Sequence, residues 1–460
     1  MSLGASGKIA ALCTAVGLIG AGTALATGGA TSTGGVSGPS GISGPTTTPM
    51  PLEKLDETMA AAMRSIGTDS GAYVYDIDTG QALFDVDGTV PRNPASVEKL
   101  YTLTTALALF TPGGTLQTRV YGVGTLDPGG VWAGNLYLKG GGDPTFGDAT
   151  FVKDWYGGGT TGGALARELI AASHITRVEG SVIGDESYFD SLRGDPASGY
   201  GLDPNLVGEL SALSYDRGSV GHQHTPAAHA AWEFAGTLRR GGVTVNGASR
   251  AGITPAGARL LASIDSPPMS TLAKLTATPS DDFFAEMLLK AIGARFGAGG
   301  STTDGAAVVT KYIAGLGIDP VIVDGSGLSR GDLTSPVQVV QLLRDLSPGG
   351  VASLQAVGAD LHSALPIDGE TGTLVGRMRG TKAAGNCQAK TGTLSNASDL
   401  AGWCDGRYAF ALLMNKVDVW RAQLAQDKIV EGLAAYASAT GAASTSANKS
   451  GSPRTDTPSR

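Results

Sequence analysis

Strand signals near both ends of the chain restrict its fold more than any other sequence feature. Two short alternating runs at residues 71–77 and 81–86 flank Asp78-Thr79-Gly80, which is the signal of a β-hairpin. Three more strand-like runs lie near the other end, at residues 385–394, 399–404 and 408–414. Helices are predicted outside these two groups, over residues 52–66 and about 419–437. The arrangement predicts one antiparallel sheet built from both ends of the chain.

The middle of the chain has a different texture. From about residue 111 to residue 269, short strand-like runs alternate with Gly/Asp/Pro turns, which predicts one or two inserted mixed domains. Helical periodicity surrounds this segment, over residues 96–110, 283–296 and 336–346. The prediction is therefore an α+β fold in which residues 51–110 and 270–437 form the main domain and residues 111–269 form the insertion.

Composition excludes two broad classes of protein. Of the 460 residues, 42% are apolar and 16% are charged, whereas a disordered chain is rich in charge and poor in apolar residues. The net charge of −8 argues against a nucleic acid partner, because phosphate binding needs a basic surface. What remains is an acidic globular protein that is long enough for two or three domains.

The two ends of the chain differ from the rest in composition. Residues 1–26 contain one positive residue, Lys8, and an uncharged run that ends Ala24-Leu25-Ala26, the layout of a cleavable export signal. That run is long enough to span a membrane if it is kept, so an uncleaved anchor is the alternative. The Gly, Ser, Thr and Pro of residues 27–50 predict a flexible tether, and the similar composition of residues 438–460 predicts a disordered tail. No other apolar run is as long, so we expect an exported protein without a stable membrane span after cleavage.

Export also bears on the cysteines. Cleavage would remove Cys13 and leave Cys387 and Cys404 in an oxidising compartment. These two residues lie in neighbouring strand-like runs, so we expect a disulfide across a hairpin. Two buried free thiols are the alternative.

Three short motifs carry the candidate chemistry. The first is Ser96-Val97-Glu98-Lys99, of the form S-x-x-K, at the start of a predicted helix. Residues three apart share one face of a helix, so the Lys99 amine can take the proton of the Ser96 hydroxyl and create a nucleophile. The N–H groups at the start of a helix also favour developing negative charge. The motif is common, and an exposed helix N-cap is its ordinary alternative.

The second motif is Lys390-Thr391-Gly392, followed by Thr393, in a strand-like run. A Gly leaves room for a ligand, an edge strand offers main-chain pairing, and the Lys390 charge attracts the carboxylate of a peptide terminus. The third motif, Ser280-Asp281-Asp282, comes directly before a predicted helix. Taken alone, a solvated turn and a helix N-cap are the ordinary interpretations of these two motifs.

Along the chain Ser280-Asp281-Asp282 stands between the other two motifs, and in that order the three resemble the motifs of penicillin-binding proteins and serine β-lactamases. The chain is most similar to the class C low-molecular-mass penicillin-binding proteins, the DacB-type D-alanyl-D-alanine carboxypeptidase/endopeptidases of peptidase family S13. Further stretches carry the resemblance, at residues 93–96, 134–138, 141–145, 184–187, 283–287 and 323–330. The resemblance covers about residues 52–437. It implies a transpeptidase-like or β-lactamase-like domain, with an antiparallel sheet flanked by helices, a helical subdomain and inserted accessory domains.

The resemblance also implies catalytic roles. Ser96 is expected to be the acylated nucleophile, Lys99 its general base, and Ser280 the relay that passes a proton to the leaving amine. The backbone N–H groups of Ser96 and Thr393 are expected to form the oxyanion hole. The implied substrates are peptidoglycan stem peptides that end in D-Ala-D-Ala, in the bacterial cell envelope, with β-lactams as covalent inhibitors.

The implied substrate-binding residues include one departure from the family. Lys390, Thr391 and Gly392 are expected to hold the terminal carboxylate and the backbone of the substrate. Asp282 stands where the family usually has Asn, and a carboxylate accepts hydrogen bonds but cannot donate one to a substrate carbonyl. Its charge near Lys99 would favour the protonated, non-basic amine, and it could also pair with Lys390. We expect slowed but surviving acyl transfer; a degenerate peptidoglycan-binding protein and a β-lactamase are the alternatives.

The histidines do not predict a metal site. His222, His224 and His229 have no Cys or carboxylate companion at ligand spacing. We expect His229 to be solvated or to cap a helix. No metal or organic cofactor is expected.

Overall fold

The computed structural model describes residues 51–218 and 225–450, with side chains to residue 440. The predicted export signal at residues 1–26, the tether at 27–50, the last ten residues of the predicted tail, and His222 and His224 lie outside the described residues. Within the described part the chain forms twelve strands, and these are β1 (Ser70–Asp76), β2 (Gln81–Val86), β3 (Gln117–Leu126), β4 (Val131–Lys139), β5 (Arg177–Val178), β6 (Val182–Asp185), β7 (Thr244–Val245), β8 (Arg250–Ala251), β9 (Arg259–Asp265), β10 (Cys387–Leu394), β11 (Ala397–Cys404) and β12 (Tyr408–Asn415).

Eleven α-helices complete the described part of the chain. They are α1 (Leu52–Arg64), α2 (Lys99–Phe110), α3 (Ala149–Tyr156), α4 (Gly162–Ser173), α5 (Pro226–Arg240), α6 (Met269–Ala277), α7 (Asp282–Phe296), α8 (Thr302–Ala314), α9 (Pro336–Leu346), α10 (Gln355–Ala364) and α11 (Val419–Ser450). Local signals set several of these ends. Helix α9, for example, begins with a capping box between Ser335 and Gln338 and with Pro336 in its first turn.

One five-stranded sheet joins the two ends of the chain. Its strand order is β10-β11-β12-β1-β2, and every pairing is antiparallel. The central pairing places Ser70 opposite Met414 and Asp76 opposite Tyr408. The prediction of one antiparallel sheet built from both chain ends is confirmed, and β10 lies at its edge.

Alternation along the strands gives this sheet two buried faces. Leu412 faces a core that also contains Leu55 of α1 and Ile429 of α11. Leu413 faces the opposite core, together with residues of α2, α6, α7, α8, α9 and α10 such as Leu288. Successive side chains of a strand point to opposite faces, so a run that is apolar throughout, as in β12, is explained by helices on both sides.

A second, mixed sheet is formed by the residues between α2 and α6. Its seven strands, β3 to β9, all lie within residues 117–265. Strands β3, β4 and β9 pair antiparallel, whereas β5 and β6 pair parallel to β4. Helices α4 and α5 pack on this sheet through residues such as Leu169 and Phe234, around Trp132 of β4.

The prediction of a disordered tail is wrong for residues 438–450. Helix α11 does not end near Ala437 but continues to Ser450. The segment is rich in Ala, which has the highest helix propensity, and the Ser438 hydroxyl donates to the Ala434 carbonyl inside the helix (2.9 Å). The hydroxyls of Tyr408 and Thr440 are hydrogen-bonded at 3.2 Å, which links this part of the helix to β12.

Two smaller predictions have opposite outcomes. Cys387 lies directly opposite Cys404 in the β10–β11 ladder, and the two form a disulfide, as predicted. The solvated or capping role expected for His229 is wrong, because its side chain is buried and the N-cap of α5 is Thr225. His229 instead packs within ring contact of Tyr215.

Candidate active site

Ser96 lies in a tight turn directly before helix α2. Residues 95–98 form a 3₁₀ turn, so the predicted α-helix begins at Lys99 instead of Ser96. Ala95 has a φ of 44°, in the left-handed region that a residue with a Cβ seldom adopts. Asn93 holds the turn by donating to the Ser329 carbonyl (2.9 Å) and by accepting from the Ala95 N–H (3.3 Å). The result is a half-buried Ser96 hydroxyl on a strained, well-anchored turn.

Lys99 is fully buried and its amine has three acceptors. It donates to the Ser96 hydroxyl oxygen at 2.9 Å, to Asp282 Oδ1 at 2.6 Å and to the Ser326 carbonyl at 2.6 Å. The amine therefore lies within proton-transfer distance of the candidate nucleophile. The carboxylate of Asp282 contacts this amine directly and forms no ion pair with Lys390, the other partner that the sequence allowed.

The Ser280-Asp281-Asp282 motif forms the turn into helix α7. Asp281 caps the helix by accepting from the Phe284 N–H at 3.0 Å. Its two neighbours are thereby directed to two different lysines: the Ser280 hydroxyl oxygen accepts from Lys390 Nζ at 2.7 Å, and Asp282 reaches Lys99. Ser280 has a φ of 63°, a left-handed conformation that must be held by its surroundings.

Arg217 holds that turn in place from the segment between α2 and α6. Its guanidinium donates twice to the Asp281 carboxylate, at 2.7 and 2.9 Å, and also to the carbonyls of Leu206 and Val207. It lies 4.5 Å from the ring centroid of Phe283 and its side chain is only 5% exposed. A planar, bidentate and stacked ion pair of this kind fixes both the position and the orientation of the Asp281 carboxylate.

Lys390 lies on the edge strand β10 and is fully buried. Besides Ser280, its amine donates to the Thr391 carbonyl at 2.8 Å. Burial, followed by the positive charge of Lys99, lowers the pKa of Lys390 well below its usual range, and Asp282 only partly opposes this. An arriving carboxylate would stabilise the charged amine and would therefore be bound together with a proton.

Gly392 brings the edge strand against the Ser96 turn. A Cβ at this position would lie 2.7 Å from the Pro94 carbonyl oxygen and 3.2 Å from the Ala95 Cβ, so a side chain would push the strand away. Thr393 follows and is exposed. On its outer side, β10 contacts Ile367 through an isolated bridge at Gln388, and among the described residues no strand pairs with the edge beyond that point. The free edge suits an extended peptide.

Buried carboxyl groups support the loop that contacts Lys99. Glu286 accepts from the N–H groups of Gly325 and Ser326, both at 2.8 Å, and Asp324 accepts from the Gly327 N–H at 2.6 Å. These bonds orient the Ser326 carbonyl towards the Lys99 amine. Burial, followed by the charge of Asp324, raises the pKa of Glu286 to about 8.

The structure brings all three predicted motifs to one place, and it adds residues to which the sequence assigned no role. Glu286 and Asp324 carried a weak signal, since each is an acidic residue in a mostly apolar or small-residue stretch. Arg217 carried none, because only the fold brings it to Asp281. Within residues 51–218 and 225–450, no three His, Cys, Asp or Glu side chains form a cluster that could hold a metal ion.

The model of one protein family matches most of the chain. It is the D-Ala-D-Ala carboxypeptidase 3 (S13) family, and the match covers residues 52–200 and 205–436. The chain belongs to this family. A D-alanyl-D-alanine carboxypeptidase from Actinomadura sp. (strain R39) is 30% identical, over 81% of this chain and 82% of the relative. The predicted family and the predicted class of enzyme, a serine-type carboxypeptidase, are confirmed.

Solved structures show the same fold. The crystal structure of penicillin binding protein 4 (dacB) from Haemophilus influenzae has a TM-score of 0.66 and 20% identity, over 82% of this chain and 98% of the other. A second structure of that protein, complexed with a β-lactam, has a TM-score of 0.62 and 22% identity, over 81% and 98%. The predicted α+β penicillin-binding fold is confirmed for this S13 family member. Among the described helices, none is both long and apolar enough to cross a membrane.

Proposed function

We propose that the protein is an exported D-alanyl-D-alanine carboxypeptidase that cleaves peptidoglycan stem peptides through an acyl-enzyme on Ser96. One observation carries the proposal: the buried Lys99 amine lies 2.9 Å from the Ser96 hydroxyl oxygen, beside a free strand edge that carries Lys390. The family and the activity named for the Actinomadura relative support the choice of substrate. Residues 111–269 would form the accessory part of the enzyme.

The proposed reaction begins with substrate placement. The stem peptide pairs with the edge of β10, and its terminal carboxylate lies at Lys390 and Thr391. Lys99 takes the proton of the Ser96 hydroxyl, and the oxygen attacks the carbonyl carbon of the bond between the two D-Ala residues. The negative charge that develops on the carbonyl oxygen is stabilised by the N–H groups of Ser96 and Thr393.

Bond cleavage and hydrolysis complete the cycle. The proton that Lys99 took from Ser96 reaches the leaving amine through the Ser280 hydroxyl, which is already hydrogen-bonded to Lys390. D-Ala leaves, and the shortened peptide remains as an ester on Ser96. Water then attacks this ester: its hydroxyl adds to the acyl carbon, its remaining proton passes to the Ser96 oxygen, and the shortened peptide leaves as a free acid. A cross-linked stem peptide would follow the same steps, which would give endopeptidase activity.

The same site would react with β-lactams. Their strained amide would acylate Ser96 as the peptide does, and the β-lactam complex of the Haemophilus influenzae protein supports binding of this class. The test is mass spectrometry of the protein after incubation with benzylpenicillin. We expect one adduct on the peptide that contains Ser96, lasting for minutes, and none in Ser96→Ala. Rapid loss of the adduct would instead indicate a β-lactamase.

A second candidate function rests on the contact between Asp282 and Lys99. Because this carboxylate lies 2.6 Å from the amine, it competes with the Ser96 hydroxyl for the base, and loss of that competition by Ser96 would leave a peptidoglycan-binding module. We propose slowed acylation instead of its loss. No adduct in the wild type after prolonged incubation, together with retained binding to peptidoglycan, would favour the binding module.

Export is a separate part of the proposal. Its support is the composition of residues 1–26, with the small residues Ala24 and Ala26 around the expected cleavage point. N-terminal sequencing of protein recovered from the cell envelope should begin after Ala26. A mature chain that keeps Met1 would show that the segment remains as an anchor or is not an export signal.

A further inference from the structure

A cavity with a cationic lining lies far from Ser96, where the end of α2 and the last turn of α7 meet the sheet of residues 117–265. Its volume is about 420 Å³, within the usual size of a small-molecule site. Phe110, the last residue of α2, is part of its wall. Because α2 rises about 17 Å from Lys99 to Phe110, the cavity is separate from the catalytic site.

Three positively charged side chains line this cavity in a protein with a net charge of −8. Arg119 of β3 and Lys139 of β4 lie directly opposite each other in the antiparallel ladder. Like charges in this position destabilise a pair of strands. The third, Arg295, comes from the last turn of α7.

Only one of the three charges is neutralised by a carboxylate. Lys139 forms an ion pair with Asp185 at 3.0 Å. Arg119 donates to the neutral side-chain amide oxygen of Gln117, and Arg295 lies against the ring of Phe296. Among the described residues neither arginine forms an ion pair, so two guanidinium groups stay available at one cavity.

A phenolic hydroxyl, that of Tyr188, belongs to the same cavity as the two arginines. Tyr188 also lines the cavity and is half-buried. Burial raises the pKa of Tyr188, and the charges of Arg295 and Arg119 oppose that rise. All three side chains line the one cavity, so the two charges lie near a phenolic hydroxyl, which can itself donate a hydrogen bond.

We propose that this cavity binds a phosphate group, held by Arg119, Arg295 and the Tyr188 hydroxyl. A guanidinium group can donate two hydrogen bonds to two oxygens of one phosphate. Donors that converge from a strand, a helix and the loop after β6 suit a tetrahedral acceptor better than a planar carboxylate. The phosphate can be free or can belong to a phosphate ester, because the cavity is larger than one phosphate and has room for attached atoms. The site is independent of the catalytic residues and can be occupied together with them.

The test is calorimetric titration of the full mature protein with inorganic phosphate, glycerol 3-phosphate and acetate at matched ionic strength. We expect saturable binding of at least one phosphate compound, and preference for the ester would identify that source over free phosphate. Arg119→Gln and Arg295→Gln should each weaken binding about tenfold or more, since each removes a charged donor. Arg167→Gln is the matched control, because Arg167 is an exposed arginine on α4 outside the cavity.

The outcomes distinguish a specific phosphate site from nonspecific electrostatic attraction of anions. The unfolding temperature should not fall in any of the three variants, and penicillin labelling of Ser96 should stay unchanged, which would show that the fold is intact. Absence of binding by the wild type up to roughly 10 mM would overturn the proposal. Equal weakening in Arg167→Gln, or acetate binding as tight as phosphate binding, would overturn it as well.

Discussion

The contact between Asp282 and Lys99 allows a substitution that should make the enzyme faster. The carboxylate oxygen lies 2.6 Å from the amine, and its side chain is only 18% exposed, so water screens the pair little. Asp282→Asn keeps the shape and one hydrogen bond acceptor and removes the charge. The amide also gains a donor for a substrate carbonyl.

The size of the effect follows from the type of hydrogen bond. A bond to a charged group stabilises by roughly 1.5–3 kcal/mol and a neutral bond by roughly 0.5–1.5 kcal/mol. The substitution therefore weakens the bond that holds the Lys99 amine at residue 282, in competition with Ser96, by about 1 kcal/mol. Since about 1.4 kcal/mol corresponds to a factor of ten, acylation should be roughly fivefold faster.

The assay is the rate of labelling by a fluorescent penicillin, followed on a gel under pseudo-first-order conditions. Asp319→Asn is the matched control, because it removes the same charge from an exposed residue that belongs to none of the three motifs. Ser96→Ala gives the background. Unchanged or slower labelling of Asp282→Asn, with a normal thermal unfolding curve, would refute the reasoning.

Four further predictions concern the elements around the nucleophile. Arg217→Met breaks a buried ion pair and should destabilise the protein by about 3 kcal/mol and slow labelling, whereas Arg217→Lys should restore part of the labelling rate; equal rates in both would contradict an orienting role. Gly392→Ala should reduce labelling at least tenfold, because the new methyl group would lie 2.7 Å from the Pro94 carbonyl oxygen; full activity would show that the strand can shift. Lys390 is charged below its lowered pKa and neutral above it, so KM for a peptide with a free terminal carboxylate should rise as the pH is raised through that pKa, whereas a C-terminally amidated peptide should show no such change. Thiol titration of the denatured, unreduced mature protein should find no free thiol at Cys387 or Cys404, and two after reduction.

The sheet could be predicted from the sequence because its signals are local. Alternation in residues 71–86 and apolar runs in 385–414 depend on neighbouring residues alone, and their pairing follows from a small number of possible topologies. The prediction of disorder fails for residues 438–450 for a related reason. Their Ala, Ser and Thr composition is compatible with disorder and with a helix, and only the preceding turns of α11 favour the helix.

The three motifs could also be predicted from the sequence, whereas the residues that hold them in position could not. Ser96 and Lys99 are three residues apart, and the family resemblance implied that Asp282 lies near Lys99, with Lys390 as the other possible partner. The left-handed φ of Ser280 and its stabilisation through Arg217 depend on a contact across 64 residues of sequence. No local pattern encodes such a contact, so the sequence predicts the reacting groups and does not predict the residues that orient them.

The most direct test of the proposed function uses a stem peptide that ends in D-Ala-D-Ala. The mature protein is incubated with the purified peptide, and products are identified by mass. We expect loss of one D-Ala and a transient acyl-enzyme on Ser96, with neither in Ser96→Ala. Release of D-Ala at an equal rate by Ser96→Ala, or no release by Asp282→Asn and the wild type, would contradict the account.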